Sequence, residues 1–176
     1  LQGSAGTTGT DGDDTIVALV DNTPGSSNST LNPLDQIDAG LGEDTLTLNS
    51  VGDLAAFPAG VTVSNVETMN VRSSGDVGAT GVGNAIDTSA ISGLNTLNVT
   101  QGQDVFVEAG ATTDINVSGA AGGNDGTGGS IGLVQIDGGQ NISVTDGAAE
   151  NDITIGDTTD NAGTITVTDT KLGTGK

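Results

Sequence analysis

Brief phrases of alternating apolar and short polar residues run the length of the chain. They read Leu46-Thr47-Leu48, Val61-Thr62-Val63, Met69-Asn70-Val71, Leu97-Asn98-Val99, Ile115-Asn116-Val117, Ile142-Ser143-Val144, Ile153-Thr154-Ile155 and Ile165-Thr166-Val167, with Val105-Phe106-Val107 and Val134-Gln135-Ile136 as looser copies. Period-two alternation predicts strands with one buried face. From Leu97 onward the phrases begin 8, 10, 19, 8, 11 and 12 residues apart. Clusters of Gly, Asp, Asn and Ser separate them and supply turns. The longest gap contains 122–129, too glycine-rich for a strand. Helix is expected at one place at most, a single turn over Asp53-Leu54-Ala55-Ala56-Phe57 with Asp53 as N-cap and Pro58 as stop. Ala85 to Ile91 reads ambiguously.

Regular short strands at this spacing predict an all-β sandwich, barrel or solenoid. Composition chooses among them. Two Phe and no Trp or Tyr cannot fill a wide core. Stacked ladders of small aliphatic residues need no large rings, because each rung buries its apolar face on its neighbours. The expectation is therefore one all-β domain over 1–176, a parallel β-helix or β-solenoid with Gly/Asp-rich turns, the alternative being an aliphatic-core β-sandwich. Repeated strands should fill 60–170. The chain begins at Leu1 with no basic, then apolar leader, and reads as a processed product or a segment of a larger exoprotein.

The formal charge is −20, with three basic residues and neither His nor Cys. A disulfide, a Ser-His-Asp triad and a Cys-His nucleophile are excluded, and so is a zinc site of the usual kind. Three basic groups cannot neutralise a nucleic-acid backbone, so nucleic acid is not an expected partner. No apolar run approaches ~18 residues, so no transmembrane segment is expected. Self-repulsion of so many carboxylates calls for bound cations. All-oxygen ligands from Asp, Asn and backbone carbonyls suit calcium.

Two segments fit that requirement: Gly9-Thr10-Asp11-Gly12-Asp13-Asp14-Thr15-Ile16-Val17 and Ala39-Gly40-Leu41-Gly42-Glu43-Asp44-Thr45-Leu46-Thr47. Aligned, they share Gly, Asp, Thr and an aliphatic residue at positions four, six, seven and eight. The glycines let the turn bend so that carbonyls face a cation, Asp adds a charged oxygen, and the aliphatic residue anchors the turn in the core. The pattern is close to the nonapeptide G-G-x-G-x-D-x-U-x. Together with Leu34-Asp35-Gln36-Ile37-Asp38, Val66-Glu67-Thr68-Met69-Asn70-Val71 and Leu94-Asn95-Thr96-Leu97-Asn98-Val99, it resembles the RTX-type exoproteins, particularly the repetitive surface-layer and adhesin-like proteins of Gram-negative bacteria. Residues 9–48 carry the calcium-motif part of the likeness. The resemblance implies type I secretion to the cell exterior and calcium-dependent folding. Carried over by position, it implies Asp14 and Asp44 as carboxylate ligands of Ca2+, with carbonyls from Gly9, Gly12, Gly40 and Gly42. Asp11, Asp13, Asp35 and Asp38 join them by proximity. Read singly, each Asp is an ordinary Asx-turn residue. The two motifs lie thirty residues apart with Asn22 to Pro33 inserted, so their turns need not stack on one ion.

An enzyme is not expected: carboxylates abound, but the aromatic platforms usual at sugar sites are missing. Threonine rows raise an ice-binding reading, which Asn70, Asn98, Asn116 and Ser143 at equivalent positions argue against. Phe106, placed outward between Asp104 and Glu108, is either an assembly contact or covered by a loop. The expected function is that of an extracellular, cell-surface structural protein that self-assembles into a surface layer, matrix fibre or adhesin stalk. The alternative is a calcium-dependent adhesion module that holds a cell-surface polysaccharide or a partner.

Overall fold

The computed structural model describes residues 6–79, 85–101, 103–119, 132–146 and 151–170. The glycine-rich loop at 122–129, Lys171 and Lys176 lie outside the described residues. The architecture is an all-β solenoid whose strands pair in parallel. Its first wall is a sheet of three short strands, β1 (Thr7–Thr8), β3 (Gln36–Asp38) and β5 (Thr62–Ser64). The second wall holds seven strands stacked in chain order. They are β2 (Thr15–Asp21), β4 (Thr45–Val51), β6 (Thr68–Ser73), β8 (Thr96–Gln101), β10 (Asp114–Ser118), β12 (Ile142–Asp146) and β14 (Ile165–Asp169). The third wall is β7 (Ile86–Asp87), β9 (Val105–Ala109), β11 (Gly132–Gly138) and β13 (Asn151–Ile155). From β8 onward, successive phrases of the sequence alternate between the second and third walls, so two phrases make one coil.

The core follows from the register. Ile16, Leu46, Met69, Leu97, Ile115, Ile142 and Ile165 form one inward column of the second wall. Ala18, Leu48, Val71, Val99, Val117, Val144 and Val167 form the next. Val105, Val134 and Ile153, with Val107, Ile136 and Ile155, face them from the third wall. Each aliphatic residue packs on its copy about 4.8 Å away in the next coil, which is why two Phe suffice. On the solvent side the Asn116 side-chain amide donates to Asn98 Oδ1 (3.0 Å), and that of Asn98 to Asn70 Oδ1 (2.9 Å). This amide ladder stiffens the outer face, each link contributing about 1 kcal/mol net.

The two ends of the stack differ. The insert after β2 folds back along that strand's free edge. Thr30 and Leu31 N–H donate to Leu19 C=O, and Leu19 and Asp21 N–H donate to Thr30 Oγ1 and Ser29 Oγ. Leu31 joins the core, and Ala18 and Val20 are buried. The Asp21 carboxylate accepts from Ser26 Oγ, Thr23 N–H and Asn28 Nδ2. The Ser26 hydroxyl first, then the Thr23 groups, hold it well below the usual carboxylate range. At the other end, Ile165 and Val167 are each 50 % exposed, although Ile142 and Val144 on the preceding strand are 1 % exposed. Leu97→Ala, in mid-stack, is therefore expected to cost about 2–5 kcal/mol. Ile165→Ala should cost about half as much, because half its burial is missing. Urea unfolding of both variants measures the difference.

One expectation is overturned and one open choice is decided. Leu54 is not in a helical turn. Its N–H donates to Asp76 C=O and its C=O accepts from Gly78 N–H, so it bridges Val77 in parallel and prefigures the third wall. Pairing with the next coil outcompetes one isolated turn, which is costly to nucleate. Phe106 is 5 % exposed and so is no exposed assembly contact. Alternation does turn it away from the inward Val105 and Val107, but Gly78 stands beneath it, and a side chain there would meet Phe106 Cβ at 2.7 Å.

Candidate metal centre

The thirty-residue separation of the two glycine–aspartate turns is one complete coil. β1 and β2 pair with β3 and β4 at that offset, Thr8 on Asp38 and Thr15 on Thr45. The turn 9–14 therefore lies directly on the turn 39–44. The insert at 22–33 is accommodated within the coil and does not separate the two motifs.

Glycine is required by this contact. A Cβ on Gly9 would fall 1.8 Å from Ala39 O, one on Gly40 2.1 Å from Thr10 O, and one on Gly42 2.8 Å from the Gly12 carbonyl carbon. Gly40 and Gly42 also take positive φ, 101° and 135°. The backbones approach closely enough for Gly9 N–H to donate to Asp38 C=O (2.7 Å) and Leu41 N–H to Thr10 C=O (3.1 Å).

The carboxylates continue the stacking. Asp14 N–H donates to Asp44 Oδ1 (2.7 Å), and Asp44 N–H donates to Glu67 Oε2 (2.7 Å). Asp14, Asp44 and Glu67 thus form a column at the entrance to β2, β4 and β6. Asp14 Oδ2 accepts from Thr10 N–H (2.6 Å) and Thr10 Oγ1 (2.9 Å). Asp44 is 1 % exposed, and its Oδ2 is buried without a hydrogen-bond partner. A buried carboxylate oxygen lacking both proton donor and counter-charge is costly. Arg72, the one basic residue among the described residues, is exposed on the outer face of β6. A cation at Asp44 Oδ2 would supply the missing charge, and an all-oxygen neighbourhood of carboxylate and main-chain carbonyl is the donor set that suits calcium.

The other residues expected at the site are distributed differently. Asp13 Oδ1 accepts from Glu43 N–H (3.0 Å), tying the same two turns together. Asp11 is exposed at the tip of the first turn. Asp38 Oδ1 accepts from Asn65 Nδ2 (2.7 Å) and Gly40 N–H (3.3 Å) on the exposed side of β3. Asp35 lies at the opposite end of β3, fully buried; its Oδ2 accepts from Asn32 N–H (2.8 Å) and its Oδ1 lacks a partner. Among the described residues no three Asp or Glu side chains converge as a carboxylate cage. Any ion held here rests on Asp44, its neighbours in the column and main-chain oxygens. Glu67 was not among the expected ligands, although the phrase Glu67-Thr68-Met69 repeats Asp44-Thr45-Leu46 and Asp14-Thr15-Ile16. No protein-family model matches this chain, and no curated protein matches it.

Proposed function

We propose that this chain is a calcium-stabilised structural segment of an extracellular protein of the RTX or surface-layer kind, serving as a building element of a surface layer, matrix fibre or adhesin stalk. The carrying observation is the buried, unpartnered Oδ2 of Asp44 between two directly stacked glycine–aspartate turns. Its role is mechanical: calcium neutralises the turns, the turns hold the register of the coils, and the coils stack. Millimolar calcium outside the cell fills sites too weak to fill in the cytosol. The half-exposed Ile165 and Val167 of β14 favour self-association at that end, whereas the segment 29–31 shields the edge of β2.

The test is a calcium titration of chelator-stripped protein followed by far-UV circular dichroism and sedimentation velocity. The expected result is a gain of β signal at micromolar to millimolar calcium, not reproduced by magnesium, accompanied by larger species. A β spectrum already complete in chelator and unchanged by calcium would remove calcium as the organiser of the fold. A calcium-loaded protein that stays monomeric at high concentration would remove self-association.

A further inference from the structure

Away from the glycine–aspartate turns, two acidic ladders of three residues each run through the middle coils. On the third wall, Asp87, Glu108 and Asp137 are directly opposite one another on β7, β9 and β11. At the corner after the second wall, Asp53, Asp76 and Asp104 follow one another through three coils. Asp76 N–H donates to Asp53 Oδ1 (3.0 Å), Asp104 N–H to Asp76 Oδ1 (3.1 Å) and Leu133 N–H to Asp104 Oδ1 (2.9 Å). Like charges directly opposite in a sheet destabilise it, and coil spacing of about 4.8 Å leaves them no room to separate.

We propose that these two acidic ladders make the middle of the solenoid a proton-responsive element, which tightens as pH falls from neutral into the mildly acidic range. The groups facing Glu108 from the adjacent strands are Asp87 and Asp137, and those facing Asp76 from the adjacent coils are Asp53 and Asp104. No basic side chain of the described residues stands in either ladder. Asp137 stays charged: burial pushes its carboxyl up, but hydrogen bonds from Thr158 N–H, Gln135 Nε2 and Thr159 N–H outweigh that and leave it below the usual range. The central members take up the proton. Burial first, then the charges of Asp87 and Asp137, push Glu108 up. Burial, and then the charges of Asp104 and Asp53, push Asp76 up against the opposing Asp104 hydrogen bond.

A carboxyl whose folded-state pKa is raised binds protons in the folded chain before it does in the unfolded chain. Stability from these two groups is complete below the unfolded value and is lost as pH rises through the folded one. Each pH unit over which one such group takes up its proton on folding changes the folding constant by up to tenfold. Asp21 and Asp137, held low, act oppositely and lose their contribution only in stronger acid, below the ordinary carboxylate range.

The experiment compares the intact chain with the Asp76→Asn/Glu108→Gln double variant by urea unfolding between pH 7.5 and 4.5, in calcium and in chelator. Both substitutions keep one carbonyl oxygen as acceptor and remove the charge, an amide NH2 taking the place of the second oxygen. The variant should be the more stable at pH 7.5, by no more than tenfold in the folding constant for each pH unit over which a group takes up its proton on folding, and the gap should close towards pH 4.5. A gap that does not change with pH, or a variant less stable at pH 7.5, overturns the proposal. Should the variant not fold, carboxyl-carbon NMR of the unsubstituted chain decides: Glu108 and Asp76 must titrate above ordinary Glu and Asp, and titration in the ordinary range overturns it. Because neither group touches Asp44, failure here leaves the calcium reading standing, and the reverse also holds.

Discussion

Replacing Asp44 by Asn is expected to abolish the calcium response of the domain while leaving the calcium-free protein as stable as before, or more so. The amide keeps one oxygen for the N–H of Asp14, which donates to Asp44 Oδ1 at 2.7 Å, and it removes a buried charge whose Oδ2 lacks a hydrogen-bond partner. In calcium the order reverses. A ligand that binds only the folded state stabilises by about 2.7 kcal/mol at a hundred times its dissociation constant, and the Asn variant forgoes that gain. Urea unfolding with and without chelator supplies all four numbers. Equal responses to calcium in the two proteins would place the ion elsewhere. Glu67→Gln should weaken the response without abolishing it, since its Oε2 accepts the Asp44 N–H and so reaches the site through the neighbouring coil.

Gly40→Ala should be severely destabilising, because it combines a backbone clash with a left-handed backbone. The new Cβ would lie 2.1 Å from Thr10 O and 3.2 Å from its carbonyl carbon, both main-chain atoms, at a φ of 101°. Relief requires the two glycine–aspartate turns to part, which breaks the Leu41–Thr10 and Gly9–Asp38 hydrogen bonds. The expected loss is about 4 kcal/mol or more. Gly25→Ala is the control. It also takes positive φ, 83°, but open space surrounds it, so only the left-handed backbone penalty of about 1–2 kcal/mol remains. Comparable losses at both positions would mean that the first two coils are not in this contact.

Much of this architecture is legible in the residues. Phrases such as Leu97-Asn98-Val99 and Ile142-Ser143-Val144 become strands because alternation and β-branched content are local properties, and the shortage of aromatic residues points to a thin aliphatic core. What eludes the sequence is nonlocal. Nothing in Val105-Phe106-Val107 tells that it belongs to a different wall from Leu97-Asn98-Val99, because both have the same period. The strands β1, β3 and β7, of two or three residues, are too short to show a period at all. Leu54 has a helix-compatible neighbourhood and is decided by Val77 in the next coil. At the candidate metal centre, the glycines and Asp44 are visible as a motif. The stacking of the two turns is not, because an insert of unknown path separates them. Glu67 enters the column only once β6 is in register with β4.

The arrangement of walls has a mechanical consequence. Hydrogen bonds between parallel strands of a solenoid run along its long axis, so a pull from end to end loads them in tension. The second wall runs through every coil, from β2 to β14, whereas the first wall ends at β5 and the third begins near Leu54 and Val77. Past β5 the first wall continues, among the described residues, only as the bridge from Ser64 to Ser92, with Asn65 N–H donating to Ser92 C=O. Under tension, this handover is the place where the column should yield first, with β6 on β8 and the young third wall at the Val77–Val105 bridge left as its tethers.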